Sequence, residues 1–98
     1  MDSPFIDNRF VRRFSLSTPV ALAPMALATG GELAAACARA GALALVGGGY
    51  GDLEWTQREY SGAVNLLGDD AAALARLGCG FISWKLAEDR SALDWLLD

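Results

Sequence analysis

The residues with the most chemical promise are Pro24, Met25 and Ala26. They end the apolar run PVALAPMA, Pro19 to Ala26, and open into a loop that closes on Gly30 and Gly31. A short continuous apolar run reads as a strand buried on both faces, and a proline fixes the turn that follows it. In parallel α/β folds the loops at strand carboxyl ends hold ligands and chemistry. The spacing leaves two readings of Met25 equally open: a residue whose backbone amide faces a planar ligand, or a plug for the core.

Other reactive groups are scarce. Histidine is absent, which removes the commonest general base and a frequent metal ligand. No Ser, Cys or Asp sits in a recognisable nucleophile setting. Cys37 falls in a predicted helix and Cys79 at the start of a predicted strand, where packing outweighs pairing or redox work. Asp52, Glu54, Glu59, Asp69 and Asp70 fall at helix starts or on solvent faces, and read as caps and solvated surface rather than catalytic carboxylates.

The glycine run Gly47-Gly48-Gly49-Tyr50-Gly51 invites a nucleotide-binding reading, which its spacing refuses. A dinucleotide fingerprint needs glycine at the first, third and sixth positions, and the sixth from Gly47 is Asp52. A P-loop needs lysine and then Ser or Thr after the last glycine, and neither follows. The run reads instead as a tight strand-to-helix turn that something approaches closely.

The elements that must position these residues alternate. Residues 1–18 form a polar, arginine-bearing arm, with a short extended piece around Phe10 to Leu16, placed to cover the bottom of a barrel. Residues 19–98 form the body. Val20 to Ala23 is the first strand, and Thr29-Gly-Gly-Glu32 has the spacing of a capping box. A helix from Glu32 to Ala40 follows, closed by Gly41. Leu43 to Val46 is the second strand. Asp52 caps a helix over Leu53 to Leu66, Gly68 breaks it, and Asp69 or Asp70 restarts it over Ala71 to Leu77. Cys79 to Ser83 is the third strand and Ser91 to Leu97 the last helix. Strands separated by helices predict parallel pairing through right-handed crossovers. The expected fold class is therefore α/β: an amino-terminal portion, about three β/α units, of a parallel TIM-type β/α barrel.

Bulk properties bound the function. The 98 residues fall short of the roughly 200 to 250 that a closed eight-stranded barrel needs, and the uncapped helix at the end suggests a chain cut inside its pattern. A net charge of −4 argues against general nucleic-acid binding. Met1 to Phe14 lacks a secretion signal. Pro24, Gly30, Gly31, Glu32 and Arg39 interrupt the apolar stretch from Val20 to Val46, so no membrane span and a cytoplasmic location are expected. Three strands cannot close a barrel, and an unpaired third strand predicts self-association through its edge.

The segment PVALAPMALATGGELAAACARAGALALVGGGYGD resembles the amino-terminal signature of the nitronate monooxygenase family, flavin-dependent barrel enzymes also called 2-nitropropane dioxygenases. GCGFISWKLAE, residues 78–88, is similar to the third strand of that family. The resemblance implies FMN held noncovalently at the barrel mouth. It also implies oxidation of alkyl nitronates by oxygen to a carbonyl compound and nitrite. It places flavin contacts on Pro24, Met25 and Ala26. Ser83 stands near the position where many members carry a flavin-touching asparagine, and is a substitute for it. The family's histidine base and its phosphate-binding loops have no counterpart in these residues, so weak or absent FMN binding and no catalysis are expected of the chain alone. Two alternatives remain: a short non-enzymatic self-associating domain, and part of a flavin enoyl-thioester reductase.

Overall fold

Strand and helix alternate as the glycine and proline punctuation demands. The structure is a computed structural model and describes residues 7–50 and 52–98. The elements are α1 (Arg9–Phe14), β1 (Ala21–Leu22), α2 (Gly31–Arg39), β2 (Leu43–Gly49), α3 (Leu53–Leu67), α4 (Ala71–Leu74), β3 (Leu77–Phe81), α5 (Ser83–Glu88) and α6 (Ser91–Leu97). The three strands pair in parallel in the order β1-β2-β3, so the chain forms a small α/β domain around a central β2.

One face of the sheet builds the core. Leu22, Ala44 and Leu77 share a register row, and Val46 pairs with Cys79. Ala44 and Val46 are fully buried against Ala34, Ala35 and Ala38 of α2 and Ala63 and Leu67 of α3. Alanine at these positions lets the helices approach the sheet closely, so the core gains tight packing rather than large side chains. The opposite face, by the two-residue strand period, carries Ala21, Leu43, Leu45, Gly78 and Gly80. There Ala21 is exposed and Leu43 and Leu45 are only half-buried. The expectation of a first strand covered on both faces is therefore corrected. β1 is a two-residue edge strand, and Val20 beside it is 52% exposed.

The arm differs from its expected form. Phe10 to Leu16 is not extended, because the Asn8 side chain accepts the Val11 amide at 2.9 Å and starts α1. Arg12 and Arg13 in the last turn complement the helix dipole, and Ser15 in the left-handed region ends it. The Ser17 amide donates to the Gly41 carbonyl at 2.9 Å, and the Arg76 guanidinium donates to Ser15 and Ala38 carbonyls. The arm thus lies at the amino ends of β2 and β3; residues 1–6 lie outside the described residues.

Other boundaries shift. β2 runs on through Gly49, so the first glycines are strand rather than loop. α4 stops at Leu74, β3 begins at Leu77, and Ser83 opens α5, a helix the sequence reading lacked. Asp52 and Asp70 cap α3 and α4 as expected, accepting the amides of Trp55 and Ala73.

Both cysteines are free. Burial pushes the Cys79 thiol up to about 11, only partly offset by the Gly48 and Gly80 amides, so it stays protonated and acts as an apolar core group. Among the described residues no helix is long and apolar enough to cross a membrane.

Candidate functional site at the strand carboxyl ends

The turn after β1 is built by Thr29. Its fully buried hydroxyl donates to the Ala23 carbonyl at 2.9 Å and accepts the Met25 amide at 3.2 Å. The Met25 carbonyl in turn accepts the amides of Ala28 and Thr29 at 3.0 and 2.8 Å. These bonds fold residues 23–29 into a closed loop with the Leu27 backbone in the left-handed region, φ 65°.

That loop lies on glycines. A β-carbon on Gly47 would overlap the main chain of Met25, and one on Gly80 would overlap the Pro24 ring. At Gly49, φ 57°, a β-carbon would sit 2.9 Å from that of Ala26. The Gly47 amide donates to the Thr29 carbonyl at 2.9 Å, and the Ile82 amide to the Gly49 carbonyl at 2.7 Å. A β-bulge between Gly47 and Gly49 bends the strand end beneath the turn. The close approach that the glycine run implies is therefore made by the chain's own Pro24-Met25-Ala26 turn. Gly51 lies outside the described residues.

Two expectations change here. The Met25 amide is committed to Thr29 and does not face outward, while the Met25 side chain is 47% exposed and plugs no core. The Thr29–Glu32 capping box does not form, because the Thr29 hydroxyl is spent on Ala23 and Met25. Instead the Gly31 amide at the start of α2 donates to Glu59 Oε1 at 2.9 Å. That bond, with the Arg58 guanidinium beside it, holds the Glu59 carboxyl below its usual value. Glu59 is thus a tertiary cap rather than solvated surface.

Around the turn the exposed side chains are unusually apolar. Met25, Leu27, Tyr50 and Trp84 are all exposed. Tyr50, after β2, meets Trp84, after β3, edge to face at 5.9 Å. A hollow of about 200 Å³ opens beside them, lined by Ala26, Leu27, glycines 47–49, Tyr50, Asp52 and Trp55. The structure brings Pro24, Met25 and Ala26 together on the carboxyl ends of β2 and β3. Ser83 stands at the end of the strand that seats Pro24, but it is exposed and lines a separate shallow hollow with Leu86 and Arg90. Thr29, Glu59, Leu27 and the Tyr50–Trp84 pair escaped the sequence reading as site residues. Of these only Thr29 carried a local signal, and it pointed to the wrong partner. Among the described residues no group of three or more Cys, Asp or Glu side chains is placed to hold a metal ion.

Comparison of the chain with protein-family models, with curated proteins and with solved structures finds no match.

Proposed function

We propose that this chain supplies the first three β/α units of a TIM-type, FMN-dependent barrel of the nitronate monooxygenase kind, with Pro24, Met25 and Ala26 beneath the flavin ring. One observation carries the reading. The turn rests on glycines at the carboxyl ends of parallel strands, the place where such folds seat ligands. The sequence resemblance supplies the identity of the ligand.

A flavin ring needs a flat apolar support and hydrogen-bond donors at its polar edge. Met25, Tyr50 and Trp84 offer the apolar support, and among the described residues the amides of Ala26 and Leu27 have no protein acceptor. The phosphate is less well provided for, since no cationic side chain among the described residues lines the hollow beside the turn. The residues therefore fit the ring and not the phosphate. When bound, FMN would take electrons from an alkyl nitronate and pass them to oxygen, giving carbonyl compound and nitrite. The chain would contribute the seat, while the proton acceptor, with histidine absent, would come from elsewhere. Two unpaired thiols suit a reducing, cytoplasmic setting.

The test is a titration of FMN with the purified protein, followed by flavin fluorescence. Saturable but weak quenching is expected, abolished by Met25→Asp, with no nitronate turnover. Unchanged fluorescence at every protein concentration would remove the flavin seat, and stoichiometric FMN with turnover would overturn the missing anchor and base.

The open sheet face and the outer edge of β3 favour a second reading, a non-enzymatic domain that associates with itself. Size-exclusion chromatography distinguishes it, since a monomer at high concentration counts against that reading.

A further inference from the structure

Leu27 breaks two rules at once. It is a branched residue in the left-handed region, φ 65°, and its side chain is 86% exposed. The first costs backbone strain, and the second leaves a large apolar surface in water. Glycine or asparagine at this position would relieve both, so folding alone does not account for leucine here.

Its place accounts for it. Leu27 lines the strand-end hollow of about 200 Å³ together with Ala26, glycines 47–49, Tyr50, Asp52 and Trp55. An enclosed apolar cavity of about 150 Å³ accepts a benzene-sized molecule; this hollow is of that size but open on one side to solvent. Among the described residues that line it, the one acidic side chain is Asp52, whose carboxylate already accepts the Trp55 amide and disfavours a second anion.

We infer that this hollow is a binding pocket for a small uncharged apolar group, benzene-sized or a branched chain of similar bulk, and that Leu27 is its contact residue. Leu27 is held outward at a cost to the fold, and a ligand in the hollow covers it. The hollow shares Ala26, Leu27 and Tyr50 with the proposed flavin seat, and its occupancy is read separately from that of the flavin.

Amide NMR of the purified protein tests it without FMN present, so the pocket and the flavin seat succeed or fail separately. Benzyl alcohol is the probe, with benzoate and glycerol for comparison. Saturable shifts are expected at Ala26, Leu27, Gly49, Tyr50 and Trp55 with benzyl alcohol, much weaker ones with benzoate, and none with glycerol. Leu27→Gly should weaken benzyl alcohol by about tenfold, the loss of one buried aliphatic contact, while leaving the melting temperature equal or higher. Leu27→Asn, which also accepts the left-handed region, should behave alike. Three results overturn the inference: no saturable shift at these residues, variants that bind as well as the parent, or variants that melt markedly lower, which would make Leu27 a structural residue.

Discussion

The Glu59 carboxylate on α3 accepts the amide of Gly31, the first residue of α2, at 2.9 Å and across 28 residues of chain. A cap supplied from another helix satisfies one orphan amide of α2, places a negative charge at its positive end, and fixes how α2 and α3 sit together.

Removing that cap with Glu59→Ala is expected to cost about 1 kcal/mol, and Glu59→Gln, which keeps an acceptor, less. The carboxyl is held below its unfolded value of 4.5, so the native state favours the ionised form. Its contribution is complete above about pH 4.5 and disappears as pH falls through the lower folded value. Urea denaturation of parent and Glu59→Gln should therefore differ at pH 7 and converge in acid.

Two glycines should respond oppositely to alanine. At Gly47 the new methyl group meets the Met25 backbone, which cannot step aside without lifting the turn, and a loss of about 2–4 kcal/mol is expected. At Gly62, inside α3, a β-carbon meets nothing within 4 Å. Alanine there should add about 0.5–1 kcal/mol by helix propensity and reduced chain entropy. Thermal melts of both variants check the pair.

Thr29→Val removes a donor and an acceptor from a buried site, stranding the Ala23 carbonyl and the Met25 amide. A loss of about 2–3 kcal/mol is expected, with faster hydrogen exchange at Met25. Thr29→Ser keeps both bonds and should recover most of the loss.

Thr56 presents the opposite case, a fully buried threonine whose hydroxyl has no hydrogen-bond partner among the described residues. Valine has the same shape without the desolvation cost. Thr56→Val should leave stability unchanged or raise it by about 1 kcal/mol, measured by thermal melt.

What was legible in the sequence was local. Asp52 and Asp70 were readable as caps because the bond runs from a side chain to an amide three residues on. The parallel strand order followed from alternation and the short links. Thr29 misled because its hydroxyl met a competing acceptor, the Ala23 carbonyl freed where β1 ends, that no spacing rule includes. Glu59 looked like surface because its partner lies in another helix. The glycine run signalled a close approach without saying of what, since the Met25 backbone reaches it only through tertiary folding. β1 looked buried because its residues are apolar, but whether a face is covered depends on what packs there.

The seating of Pro24 on Gly80 has a consequence in time. A turn whose floor is the third strand cannot take its final form until β3 has paired with β2, and the arm's tie between Ser15 and Arg76 spans 61 residues. Such non-local closures slow folding, since loop entropy is spent before any contact repays it. The Pro24 turn and the Ser15 tie are therefore expected among the last contacts to form, since each waits on a residue more than 50 positions further along the chain.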